Sequence, residues 1–307
     1  MNKIKGQGTL TKALASKTGA RNKRDFVKFI NAGKNLSILS VSIKNEVLIE
    51  ARVVSFSSTH DFGEQVLSIL SFIKYVGTPI AWIVYSDGTH TSQEIELIES
   101  SFDFLKVENI RFDESYIQHN IKKSLLPYKK DFINYANALP LGKKLFYYLN
   151  TSIQKPTFFL DSDVLFYNKS CCLLNLIKEN YNGWFLPDSE WGNLDPRYIE
   201  KTSPQHYQVN SGLFLINKEL DSYVEGLSFL SALGPNYHYF SEQTVVHILL
   251  TFNRFMPLDP RIFVLDSADQ FDFSYRYTRE GMAVRHYTGP VRHKMWQRDW
   301  KWHLSLT

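Results

Sequence analysis

The chain has 307 residues and a formal charge of +4, from 35 Lys and Arg against 31 Asp and Glu; the excess is too mild to mark a nucleic-acid binder. Hydrophobic residues make up 44% and charged residues 21%, an ordinary globular balance, and no apolar run reaches the about 18 residues that a membrane-spanning helix needs. The two cysteines, Cys171 and Cys172, are adjacent, which argues against a disulfide framework and fits unbridged thiols in a reducing, cytoplasmic setting.

Residues 1–24 hold seven Lys or Arg and no acid. They read as a loosely structured basic arm, suited either to solubility or to peripheral contact with an anionic membrane surface. No apolar core follows the basic residues, so the segment is not a secretory signal. A short helix is expected over 25–32, and one or two short accessory strands over 36–49. The main domain is expected from residue 51, with residues 1–50 as arm and accessory element.

From there the pattern becomes regular. Arg52–Ser57 reads as a buried strand, followed by the polar turn 58–61. Apolar residues at 62, 66, 69, 70, 73 and 76 then recur with a helical period that ends at Gly77 and Pro79. A second strand over 80–85, a turn at 86–88, a helix over 91–100 and a third strand over 105–110 follow. This alternation predicts a mostly parallel sheet covered on both faces, with ligands beyond the carboxyl ends of the strands. The turns there carry neither a Gly-rich dinucleotide fingerprint nor a phosphate loop, which counts against a dehydrogenase, an ATPase or a sugar nucleotidyltransferase.

Residues 116–155 are expected to be helical, interrupted at Pro127 and Pro140. The strand Pro156–Leu160 then runs straight into Asp161-Ser162-Asp163. Two carboxylates one residue apart at a strand exit can approach one divalent cation, and Mg²⁺ or Mn²⁺ prefers such oxygen ligands. Further elements are expected as a helix over 171–179, strands over 183–186 and 209–216, and a helix over 240–250. Residues 187–204 form a long loop that reads as functional. In it Asp188 and Glu190 stand as general-base candidates beside Trp191, whose indole suits a sugar face. Asp87, at the end of the second strand, and Ser57, at the end of the first, are candidates for holding a nucleotide. His286, flanked by Arg285 and a glycine turn, is a metal-ligand candidate, whereas His247 falls inside an apolar helix and reads as a core-edge residue. Asp259, Asp266 and Asp269 show no paired pattern. Aromatics at 15% fit equally a bulky core and a sugar-binding surface.

Four segments in order resemble the metal-dependent GT-A glycosyltransferases, in particular the glycogenin and bacterial galactosyltransferase group. They are Pro156–Tyr167 with the aspartate pair, Asn210–Asn217 beginning Asn-Ser-Gly, Ser241-Glu242-Gln243, and His286–Trp296 with its His-x-x-Gly opening. The resemblance spans about 51–296 and implies an α/β GT-A fold, with a nucleotide-binding half at about 51–167 and an acceptor half at about 168–307. It also implies a hexosyltransferase-type activity in saccharide synthesis, with a UDP-sugar as donor and a saccharide or other hydroxyl as acceptor. Asp161, Asp163 and His286 are then expected on Mn²⁺ or Mg²⁺, Asn210 near the acceptor and Gln243 near the sugar ring, and retention of configuration is suggested. The group has a lysine six residues after the histidine. Here that position is Arg292, and Lys294 lies two residues later, so either is a candidate for the diphosphate. The remaining alternative is a carbohydrate-binding protein that kept the fold without catalysis.

Overall fold

The computed structural model describes residues 7–189, 192–199, 206–270 and 276–304. It opens with two helices, α1 (Gln7–Ile30) and α2 (Asn35–Ile43). The loose arm and accessory strands expected there are therefore not what forms. The reason lies in α1's inward positions: Ala15, Phe26 and Ile30 are buried, and Phe26 packs on Trp296 and Trp300. Tertiary packing against the far end of the chain decides the helix, and no local periodicity shows it.

Strand β1 (Leu48–Ser57), helix α3 (Phe62–Tyr75), β2 (Thr78–Ser86), α4 (Ser92–Ser101) and β3 (Leu105–Asn109) follow as expected. Helix α4 starts on a capping box, in which Thr91 accepts from the Glu94 amide and Glu94 accepts from the Thr91 amide. Helices α5 (Glu114–Asn120), α6 (Lys129–Ala138) and α7 (Pro140–Asn150) come next. Pro140 sits at the start of α7, where its missing N–H costs nothing. Then come β4 (Thr157–Asp161), β5 (Val164–Phe166), the short α8 (Leu173–Leu176), β6 (Gly183–Pro187), α9 (Pro196–Ile199), β7 (Val209–Ile216), α10 (Val224–Ala232) and α11 (Ser241–Phe252). The chain closes with β8 (Met256–Pro257), β9 (Phe263–Val264), β10 (Val284–His286), α12 (Arg292–Lys294), a π-helical turn over Met295–Asp299, and α13 (Trp300–Leu304).

Seven strands form the central sheet in the order β3-β2-β1-β4-β7-β6-β8. Pairs β1–β2, β2–β3 and β1–β4 are parallel, whereas β7 runs antiparallel to both β4 and β6. This reversal positions the site. Leu160 lies opposite Leu213, so the first residues of β7, Asn210 to Gly212, stand at the edge where β4 delivers Asp161. A small second sheet, β5-β10-β9, pairs His286 with Val164 and brings the distant histidine to the aspartate pair. Side chains alternate across the central sheet, with Val53, Phe158 and Leu215 in one core and Val54, Phe159 and Phe214 in the other.

Cys171 and Cys172 are both unbridged. Asp259, Asp266 and Asp269 each have a basic partner, in Arg261, Arg276 and Arg285 respectively. Among the described residues no helix is long and apolar enough to cross a membrane.

His247, in α11, is buried, and its Nδ1 accepts the Val209 amide at 3.2 Å. Burial lowers its pKa to about 4. Burial, with Lys294 and Lys12 nearby, also takes His293 down to about 4, and His303 lies well below its usual value. Because the folded pKa values are depressed, the unfolded chain binds protons first as pH falls from about 6.5. The contribution of these three histidines to stability is therefore complete above pH 6.5 and is lost between there and about pH 4, by about 3 kcal/mol for His247 alone. Urea midpoints measured across this range test it; the fall should be shallower in His247→Gln.

Candidate active site

An open cleft of about 570 Å³ lies along the carboxyl edge of the sheet, within the size range of small-molecule sites. Ser57, Asp61, Asp87, Lys144, Asp161, Asp163, Asp188, Asn210, Gln243, His286 and Arg292 all line it. Segments scattered over more than 230 residues thus converge: Ser57, Asp87, Asp161, Asp188 and Asn210 stand at the ends of central strands, His286 comes from the small sheet, and Lys144, Gln243 and Arg292 come from α7, α11 and α12.

At its centre Asp161, Asp163 and His286 present ligand atoms that all lie within 4.8 Å of one another. His286 Nε2 stands 3.1 Å from Asp163 Oδ1 and 3.8 Å from Asp161 Oδ2. The other ring nitrogen fixes the tautomer. The Gly212 amide, which can only donate, lies 2.9 Å from Asn210 Oδ1, so that atom is the amide oxygen. His286 Nδ1, 2.9 Å from the same oxygen, must then carry its proton and donate. Nε2 faces two carboxylates, an arrangement that either a proton on that nitrogen or a bound cation satisfies. Burial alone lowers the imidazole pKa, but Asp163 and then Asp161 more than offset it and the net shift is upward. The donor set of two carboxylates and an oriented imidazole suits Mn²⁺ or Mg²⁺.

Gly212 is required by this packing. A Cβ there would meet His286 Cε1 at 2.1 Å and Nδ1 at 2.5 Å.

Arg292 closes one side. Its Nε donates to Asp163 Oδ2 at 3.1 Å, its Nη2 donates to the same oxygen, and its Nη1 reaches Asp61 Oδ1 at 3.3 Å. Burial raises the Asp163 pKa, yet His286 and Arg292 outweigh it and hold the carboxyl well below its usual range. Lys294 does not reach the cleft. It is fully buried and points at Asp269 Oδ2, 3.5 Å away. The two-residue displacement seen in the sequence therefore turns Lys294 inward and leaves Arg292 as the cation at the expected place.

On the opposite side stands Lys144, which sequence reasoning passed over. Its Nζ lies 2.6 Å from Asp161 Oδ1 and 3.5 Å from Glu242 Oε1. Burial opposes its charge, but Asp161 and Glu242 more than compensate and raise its pKa well above the usual value. Glu242 is itself shifted upward by burial, with Lys144 acting against that shift, and its second oxygen accepts from Ser211 at 2.8 Å. The available signal was positional: Lys144 shares an i, i+4 stripe with buried Tyr148. Replacing Lys144 by methionine should cost about 3 kcal/mol, since it strands the buried Glu242 beside the half-buried Asp161. Adding Glu242→Gln should recover part of that loss in a thermal-denaturation double-mutant cycle.

The far end of the cleft is an amide-rich cage around Asp188. Its Oδ1 accepts from Asn193 Nδ2 at 2.9 Å, and its Oδ2 accepts from Gln243 Nε2 at 3.1 Å and Asn210 Nδ2 at 3.3 Å. Three of the predicted residues are thus in direct contact. Asp87 accepts from the Thr89 amide and hydroxyl at the mouth, and Ser57 lies buried at the end of β1. Glu190 and Trp191 lie outside the described residues. Tyr239 and Phe240 line this end, aromatic neighbours the sequence reading did not single out.

No protein-family model matches the chain, and no curated protein matches its sequence. Solved structures do match. The chain is similar to the WbbM bifunctional glycosyltransferase in its apo form, with TM-score 0.50 and 12% identity over 78% of this chain and 46% of that one. It is also similar to the galactosyltransferase LgtC in complex with donor and acceptor sugar analogs, with TM-score 0.48, 13% identity, and 82% and 99% coverage. For the glycosyltransferase GlyE of Streptococcus pneumoniae TIGR4 the TM-score is 0.49 at 11% identity, with 83% and 62% coverage. At these identities the likeness concerns the fold alone, and the chain has an α/β fold of the GT-A type.

Proposed function

We propose that the chain is a metal-dependent glycosyltransferase that moves a sugar from a nucleoside diphosphate donor, UDP-linked, to a hydroxyl of a saccharide or similar acceptor. The observation that carries this reading is the Asp161–Asp163–His286 cluster, with its tautomer set by Asn210, inside a cleft that also holds Arg292 and Lys144. Mn²⁺ or Mg²⁺ on those three residues would supply charge neutralisation at the departing diphosphate.

The chain's own residues supply the rest. Arg292 presents a planar guanidinium at the rim, suited to two diphosphate oxygens at once, and exchanges its contact with Asp163 for them. Lys144 adds fixed positive charge on the other side of Asp161, where a sugar-linked oxygen would be drawn in. Asp87 and Ser57 bound the end of the cleft assigned to the nucleotide. Asp188, Gln243 and Asn210 form a preorganised set of acceptors and donors for sugar hydroxyls, and Asp188 is the carboxylate there that can take the acceptor's proton. Tyr239 and Phe240 offer the apolar faces that sugar C–H groups pack against.

The test is turnover of UDP-, GDP- and CDP-sugars with and without Mn²⁺. Metal-dependent release of the nucleoside diphosphate, largest for UDP-sugars, is expected; sugar binding with no turnover of any donor would favour a binding protein instead. Because a proton and a metal compete for His286 Nε2, Mn²⁺ affinity should also weaken as pH falls through the raised imidazole pKa, by about tenfold per unit below it. Calorimetry between pH 8 and 6 measures this, and a flat profile would remove His286 from the ligand set.

A further inference from the structure

Helices α1 and α2 carry a surface that the catalytic reading does not use. From residue 7 to residue 45 the chain has eight Lys or Arg and one acid, Asp25. Two of the bases turn inward: Lys12 donates to Gln270 and Lys23 pairs with Glu64. The other six, Lys17, Arg21, Arg24, Lys28, Lys34 and Lys44, are exposed.

On α1 the exposed residues Leu10, Leu14, Lys17, Arg21, Arg24 and Lys28 are spaced four, three, four, three and four apart, which places them along one stripe of the helix. The stripe is apolar in its first half and cationic in its second. Large apolar side chains resume just beyond it, with Phe29, then Ile38 and Val41 on α2, the last two 63% and 78% exposed. Lys34 and Lys44 bracket α2, which has no charged residue of its own. An isolated exposed leucine means nothing. Five exposed large apolar residues interleaved with six cations and a single acid have the composition of an interfacial helix surface.

We propose that α1 and α2 dock the protein peripherally on an anionic lipid surface, with the apolar side chains entering the headgroup boundary and the lysines and arginines facing lipid phosphates. The charge complementarity selects this occupant. A second copy of the chain would set six cations against six cations, and a nucleic acid would leave the five apolar side chains without a role. The opposite face of α1 binds the segment that carries Arg292: Asn22 donates to the Trp296 carbonyl, Gly19 lies against the His293 carbonyl, and Lys23 donates to the His60 carbonyl beside Asp61. Docking therefore seats the membrane behind the wall of the cleft, and the interaction is independent of whether the cleft transfers sugar.

The experiment is co-sedimentation of the full chain with vesicles of phosphatidylcholine alone and of phosphatidylcholine with 30% phosphatidylglycerol. Two variants are compared, Arg21→Glu/Arg24→Glu/Lys28→Glu and Leu14→Ser/Ile38→Ser/Val41→Ser. Every substituted side chain is solvent-facing, so circular dichroism and release of nucleoside diphosphate from a soluble donor should match the unaltered chain. Binding is expected to the anionic vesicles only, to fall in 0.5 M NaCl, and to drop on the order of 100-fold in the charge-reversal variant. The serine variant should lose it as well. Equal binding to neutral vesicles, absence of binding to anionic ones, or full retention by either variant would overturn the proposal. So would binding to RNA that survives the serine substitutions while vesicles are ignored.

Discussion

Replacing Asp163 by asparagine is expected to lower kcat/KM for donor turnover on the order of 10³-fold. Asp163 makes three sets of contacts at once. It faces His286 Nε2 at 3.1 Å, takes Arg292 through two of its nitrogens, and its main-chain carbonyl accepts the Tyr287 amide at 2.9 Å. Asparagine keeps the shape and the main-chain contact but removes the charge. The imidazole then has one carboxylate beside it in place of two, the cation loses a ligand, and Arg292 loses its counter-ion. The stability change separates two explanations. Breaking a buried charged pair costs about 3–5 kcal/mol, and a thermal melt will show such a loss. A variant that remains folded at the assay temperature yet is inactive even at saturating Mn²⁺ places the defect in the chemistry. Addition of Mn²⁺ should raise the melting temperature of the unaltered protein and leave that of the variant unmoved.

Gly212→Ala should be nearly as damaging although it removes nothing. The added methyl lies 2.1 Å from one atom of the His286 ring and 2.5 Å from another, far inside contact distance, and both main chains are held in sheets. The ring is rigid, His286 is buried, and its main chain is paired with Val164 in the small sheet. Gly212 lies in the interior of β7, whose neighbours on both sides are hydrogen-bonded strands. The imidazole must rotate away from Asn210, which frees its tautomer and withdraws Nε2 from the carboxylates. Loss of Mn²⁺ affinity and of kcat/KM of about 100-fold is expected, the scale found when a ligand's supporting partner is removed. Calorimetry with Mn²⁺ reads it directly. A fold defect without a change in metal affinity would show that the close approach serves packing alone.

The parallel strands were legible in the sequence because each is a short apolar run that ends in a polar turn, and β4 could be followed into Asp161 for the same reason. The reversal of β7 was not legible. Hydrophobic runs carry no sign of direction, and only the pairing of Leu160 with Leu213 shows why Asn210 reaches the edge where Asp161 stands. Nor did local pattern show α1. Its buried positions are sparse among lysines and small residues, and its stability comes from aromatic partners about 270 residues away. The site divides along the same line. Asp161, Asp163, His286, Asn210 and Gln243 belonged to segments with recognisable neighbours, and the fold brings them into one cleft. Lys144 has no motif, and its role follows from burial beside two carboxylates. Lys294 matched the resemblance best by residue type, and a helical turn points it at Asp269.

The most direct measurement of the central assignment is donor turnover in Asp161→Ala/Asp163→Ala beside the unaltered chain, each assayed in Mn²⁺ and in EDTA. Metal-dependent turnover in the unaltered chain, abolished by EDTA and absent from the folded double variant in either condition, is the predicted result. Equal turnover by both proteins, or turnover that survives EDTA, contradicts it.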